Sequence, residues 1–247
     1  LYWGFGDGGS NNIGHPEMGH KLQSFLGTIL RIDPQGNNSR NGKYGIPDDN
    51  PFNENPDPLT LKEIWAFGFR NPHRMTWDQA HGNRMIVTDI GESNIEEINI
   101  VEKGGDYGWP EREGIYGIST KKDLKTVFNT AQHDHPLYKR PFIQYDHTDG
   151  YAISGGYLYE GDLEKLKKKY IFGDIVNGKL FYANMDDHLT DSTVYEISII
   201  QDGRETALSQ MSKAKRLHLR IGYDHLNKDL YVITKADGMI RKVIKAY

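Results

Sequence analysis

No cysteine occurs in the 247 residues, which excludes a disulfide framework, a thiolate nucleophile and a thiolate metal site. No apolar run approaches the roughly 18 residues needed to span a bilayer, and mean hydropathy is −0.68. Positive charge is not in excess either. Thirty Lys and Arg against 34 Asp and Glu give a net charge of −4, so no basic field is present to hold a nucleic acid. The sequence also lacks a GxSxG elbow, a P-loop, a dinucleotide fingerprint and a zinc spacing such as HExxH. His15, His20, His133, His135 and His147 lie in polar stretches without a metal-ligand pattern. A small-molecule partner fits what remains.

What the chain does have is turn chemistry and β-formers, with 27 glycines and 15 tyrosines and few long helical patterns. This composition predicts short strands joined by tight turns in one large domain over 1–247. Four segments look alike: LYWGFGDGG from Leu1, MIVTDIGES from Met85, YIFGDIVNGKLFYA from Tyr170 and LYVITKADGMIRKV from Leu230. Each is an apolar β-rich run meeting a polar turn that contains glycine and usually Asp. Repetition of such a unit at long, uneven intervals predicts propeller blades with inserted loops.

Between these segments, alternation predicts strands over 64–70, 74–78, 97–101, 141–146, 153–159 and 193–200. Residues 22–33 read as a strand pair or a short helix feeding a strand, and 36–58 as a long surface loop. The polar stretch 111–140 reads as an excursion with a short helix at LKTVF, and 162–169 as a short helix with a basic last turn. A period of two over 216–221 places Arg216, His218 and Arg220 on one strand face.

Candidate chemistry concentrates in 64–110. Arg70 offers a rigid donor fork for a carboxylate or oxyanion, Asn71 adds an amide, and Pro72 biases the residue before it to an extended shape. The ordinary alternative is an arginine paired with a nearby acid such as Glu63. Residues 91–97 (GESNIEE) offer carbonyls of Gly91 and Glu92 beside the carboxylates of Glu96 and Glu97, a donor set suited to calcium, or else a solvated acidic turn. The loop GGDYGWP, with Tyr107 and Trp109, forms either a binding rim or aromatic packing between blades. Arg216 and Arg220 form a candidate clamp for a polyanion. Asp7 either orients a histidine or caps a turn.

Together, LYWGFGDGG, LGTILRIDP, YGIPDDNPF, EIWAFGFRNPHR, DIGESNIEEIN, KGGDYGWP, YDHTDGYAISGGYLYEG, YIFGDIVNGKLF and LYVITKADGMIRKV resemble the soluble quinoprotein glucose/sorbosone dehydrogenases, also called aldose sugar dehydrogenases. The resemblance runs from the first residue nearly to the last. It implies a six-bladed β-propeller, about four blades of it in this chain, that binds pyrroloquinoline quinone (PQQ) and Ca²⁺. The implied reaction oxidises an aldose at C1 to the lactone by hydride transfer to the quinone, with an unidentified electron acceptor downstream. By position, Arg70 and Asn71 would contact PQQ or the substrate, and Arg216 and Arg220 the cofactor. Gly91 and Glu92 would give carbonyls to a catalytic calcium, Glu97 and Tyr107 would serve a structural calcium, and Asp7 would support the base.

The family's base histidine lies just upstream of the segment matching 1–9, so this chain is expected to be part of a longer protein and inactive alone. Val176 stands where some members carry a lysine. The family's habit implies a periplasmic or extracellular location. The rival from another class is a non-catalytic propeller of the same family that binds a partner, and a third is a lactone-hydrolysing calcium propeller.

Overall fold

The computed structural model describes residues 1–10, 14–118, 125–129 and 137–247. They fall into two compact units: Leu1–His73, Asp89–Ile95 and Asn99–Pro141 in the first, and Arg74–Thr88, Glu96–Ile98 and Phe142–Tyr247 in the second. Both are built of small antiparallel sheets, so the chain is all-β as its composition predicts. Each of the four repeated segments contributes to a different sheet.

In the first unit, strands Tyr2–Phe5, Thr28–Arg31 and Ile64–Phe67 pair in that order. Ile29, Ile64 and Ala66 are buried, while Trp65 and Phe67 alternate to the other face. The end of the third strand is zipped to the GGDYGWP loop. Phe67 N–H donates to Gly105 O (3.0 Å), Tyr107 N–H to Phe67 O (2.9 Å) and Trp109 N–H to Gly68 O (2.9 Å). Gly68, at φ 78°, makes this approach possible, since a Cβ there would lie 2.5 Å from Asp106 Oδ1 and 2.7 Å from Gly108 N. Buried Phe69 stacks on Tyr107 with ring centroids 4.5 Å apart.

In the second unit, most of one four-stranded sheet follows the order Ile143–Asp146, Ile95–Val101, Arg84–Asp89, Pro72–Asp78. A second sheet runs Tyr157–Leu158, Lys169–Gly173, Leu180–Asn184, Tyr195–Ile197, and a third runs Leu219–Tyr223, Leu230–Thr234, Met239–Lys242. Leu166, Ile171, Leu180, Leu217, Leu219 and Val232 close a core with Tyr159. Tyr145, Phe172 and Phe181 pack a neighbouring aromatic group.

Several local expectations fail for identifiable reasons. The helix over 162–169 is reduced to one 3₁₀ turn, Glu164–Leu166, because the chain turns at Lys168 (φ 58°) into a strand that starts at Lys169. LKTVF does not form a helix in its described part: Val127–Asn129 is a strand paired with Tyr116–Ile118, and Leu124 lies outside the described residues. Residues 22–27 form turns before the strand Thr28–Arg31, with no helix among them. The loop 36–58 is made of turns and bends, yet Asn50 is buried in it, donating to Arg31 O (3.0 Å) and Lys62 O (2.8 Å). The strand expected from Arg216 begins only at Leu219, because His218 takes a left-handed backbone (φ 51°) that interrupts the period of two.

Candidate functional site

The Asp of the repeated turn has one job throughout the fold: its carboxylate holds loop backbone. Asp7 accepts from Gly9 N–H (2.9 Å), Ser10 Oγ (3.2 Å) and the Trp109 indole N–H (3.2 Å). Asp89 accepts from Arg70 N–H (3.0 Å) and Asn71 N–H (2.5 Å). Asp174 accepts from Tyr151 and Ala152 N–H on one oxygen and from Val176 and Asn177 N–H on the other. All three are buried. Asp237, less buried, accepts from Met239 N–H and Thr234 Oγ, and its hydrogen bond from Arg241 holds its carboxyl well below the usual range.

Asp89 thereby fixes the Arg70–Asn71 backbone. The same two residues meet the opening strand, with Asp7 N–H on Arg70 O at 2.8 Å and a Cβ on Gly6 lying 3.2 Å from Asn71 Oδ1. Asp7 and Arg70 are therefore neighbours in the fold, and the side chain of Asp7 is committed to a turn and to Trp109. Trp109→Phe removes one of those donors and is expected to cost about 1–2 kcal/mol. Urea unfolding measures it, and an unchanged midpoint would show that the indole bond contributes nothing.

The guanidinium of Arg70 does not pair with Glu63, which instead takes the Tyr44 hydroxyl (2.7 Å). It pairs with Glu92: Nε and Nη2 both reach Oε2, at 3.0 and 2.6 Å, and Nη1 lies 3.4 Å from Ile90 O. The two side chains are 25 % and 18 % exposed.

Glu92 sits in the loop that the sequence marks as a calcium candidate, and one residue that sequence reasoning missed organises that loop. Glu113, 1 % exposed, takes four successive backbone N–H groups on Oε1: Glu92 (2.8 Å), Ser93 (3.0 Å), Asn94 (2.9 Å) and Ile95 (3.1 Å). Its Oε2 takes the Asn94 amide (2.8 Å). This is an anion nest filled by the protein's own carboxylate. In a trans peptide the carbonyl opposes the N–H, so the oxygens of residues 91–94 are turned away from Glu113. Among the described residues, no hydrogen bond to the Gly91 or Glu92 carbonyl is found. Gly91 has no room for a side chain, since a Cβ would lie 1.9 Å from Ile95 O and 2.5 Å from Glu113 Oε1.

The other candidates are placed differently. Tyr107 is buried, and its hydroxyl donates to Ile100 O (2.9 Å) and accepts from Glu102 N–H (2.9 Å), so that its side chain is a strut. Glu97 is buried in the second unit and Tyr107 in the first; neither unit holds both. Arg216 is exposed and lies before the strand that carries Arg220. Arg220 Nη1 donates to Leu219 O (2.7 Å), and burial followed by the charge of Arg74 lowers its pKa. Among the described residues neither Arg74 nor Arg220 has a carboxylate partner.

Of the histidines, His20 pairs with Asp106 (2.7 Å), His15 with Glu17 (3.4 Å) and His147 with Glu96 (3.0 Å). His133 and His135 lie outside the described residues. Among the described residues no three His, Asp or Glu side chains cluster as a metal site. No helix among them is long and apolar enough to cross a membrane.

The glucose/sorbosone dehydrogenase family model matches residues 1–225. HIPL1 protein of Arabidopsis thaliana is 27 % identical over 98 % of this chain and 37 % of its own length. Aldose sugar dehydrogenase YliI of Escherichia coli is 36 % identical over 36 % of the chain and 21 % of its own length. The chain thus spans just over a third of the length of the first of these relatives. Among solved structures, the soluble aldose sugar dehydrogenase of Escherichia coli in its apo form superposes with a TM-score of 0.70 at 23 % identity, covering 100 % of this chain and 61 % of that one. The PQQ-bound aldose sugar dehydrogenase of Streptomyces coelicolor gives 0.54 at 20 % identity, over 96 % and 53 %. These likenesses carry the fold, an all-β propeller, and the family match covers most of the sequence: the chain belongs to the glucose/sorbosone dehydrogenase family.

Proposed function

We propose that this chain carries the cofactor-facing part of a PQQ- and Ca²⁺-dependent dehydrogenase that oxidises aldoses at C1 to the lactone. The observation that supports it most is the pairing of two loops in the first unit. One holds the Arg70 backbone on Asp89, and the other turns the oxygens of Gly91 and Glu92 away from Glu113 by tying the N–H groups of Glu92 and Ser93 to it.

The donor sets fit. Peptide oxygens are hard ligands of the kind Ca²⁺ takes, and Arg70 already accommodates a carboxylate, that of Glu92, on two N–H groups. Bound here, PQQ would supply the hydride acceptor. Arg70 would hold a carboxylate or quinone oxygen and stabilise negative charge that develops on it. Asn71, fixed by the same Asp89, would orient its amide alongside. Asp7, set against Arg70 O, would stiffen that corner. The described histidines His15, His20 and His147 face carboxylates of their own and are not assigned as base.

Titrating PQQ and Ca²⁺ into the full-length protein should give aldose-dependent dye reduction. Cofactor binding without turnover on any aldose would favour the second reading, a non-catalytic binding propeller. Relatives matching along the whole chain whose name states no activity, such as HIPL1 protein, give that reading its support. Export to the periplasm or the cell exterior belongs to the same proposal.

A further inference from the structure

The donor edge of Arg70 is occupied by a side chain of the loop it is meant to serve. We propose that Glu92 sets the ligand selectivity of Arg70 by competing for it, so that an anion reaches the guanidinium only by turning the Glu92 side chain away. The inference rests on the reading that Arg70 faces a ligand.

Three features carry it. Both N–H groups of the Nε–Nη2 edge converge on a single oxygen, Oε2, so a ligand carboxylate offering two parallel oxygens makes the better-matched pair. Both side chains are partly exposed, within reach of a solute. Both backbones are pinned, Arg70 by Asp89 and Glu92 by Glu113. The exchange therefore needs only side-chain torsions, not loop opening.

The consequence is selectivity by exclusion. A simple monocarboxylate gains only the second parallel bond, offset by the loss of an intramolecular partner, whereas a polycarboxylate adds further charge and contacts that tip the exchange.

Glu92→Gln keeps the length of the arm and removes its charge. Two readouts test the proposal: the rate at which phenylglyoxal modifies Arg70, followed by peptide mass, and the binding of PQQ and of citrate by equilibrium dialysis. The variant is expected to be modified about tenfold faster and to bind both tricarboxylates about tenfold tighter. Glu92→Asp, which keeps the charge on a shorter arm, should fall between the two and guards against a folding defect in the first variant. If citrate and phenylglyoxal respond while PQQ binds neither protein, the competition stands and the cofactor reading falls. Unchanged modification and unchanged citrate affinity in Glu92→Gln would overturn the proposal.

Discussion

Replacing Glu113 with alanine is expected to destabilise the first unit by about 3–5 kcal/mol and to release residues 92–95 from their fixed shape. The magnitude follows from what is orphaned: four backbone N–H groups and the Asn94 amide lose one buried acceptor. Each buried donor left without a partner costs about 1–3 kcal/mol, and partial rehydration keeps the total below the simple sum. Glu113→Gln keeps an accepting oxygen at the nest and should recover about half of the loss. The decisive measurement is hydrogen exchange at residues 92–95, which reports local opening separately from global unfolding. If those amides stay as protected in Glu113→Ala as in the parent, Glu113 is not what shapes the loop. On the proposed reading, calcium binding should weaken in parallel, because the set of the Gly91 and Glu92 oxygens, away from Glu113, depends on the same bonds.

The second large effect is a pH dependence centred on Glu96 in the second unit. Glu96 is fully buried, with Oε1 3.0 Å from His147 Nε2 and Oε2 accepting from Ile153 N–H at 2.8 Å. Burial pushes its carboxyl up to about 7; the His147 and Ile153 bonds oppose this, and the nearby charge of Asp174 adds to it. Tyr145, also buried, has its hydroxyl pushed well above its ordinary value by burial and then by Glu96 and Asp174. The folded protein therefore holds the Glu96 proton more tightly than the unfolded chain does. This contribution is fully present below the unfolded value of about 4.5 and is lost as pH rises through about 7, a swing of about 3 kcal/mol. Denaturant melts of the parent and Glu96→Gln at pH 5 and pH 8 should show the parent losing more stability across that interval. Identical pH slopes in the two proteins would refute the assignment.

How far the sequence discloses the site depends on how local each part is. Arg70, Asn71 and the acidic turn stand out because their chemistry is written within a few adjacent residues, and Asp89 ties them together over a short span. Glu113 was invisible for the opposite reason. It is one glutamate in a polar stretch that reads as an excursion, and its role exists only once the strand Arg112–Glu113 carries it under a loop some twenty residues earlier. Arg216 was misplaced because alternation of buried residues persists through Leu217, Leu219 and Ile221 even though the backbone at His218 is left-handed. Burial pattern and strand geometry normally coincide, and here they do not. The ordinary alternative for Arg70, pairing with a nearby acid, is what the structure shows, but the acid is Glu92 and not Glu63, which is nearer in sequence.

The recurring aspartates have a consequence for how such a fold diversifies. Each apolar run ends in its own tether: Asp7 and Asp174 secure the peptide that follows them, and Asp89 secures the Arg70–Asn71 peptide. An insertion or exchange beyond that tether leaves the register of the strands behind it untouched. Chemistry at the rim can then be rewritten one segment at a time while the scaffold beneath is inherited unchanged.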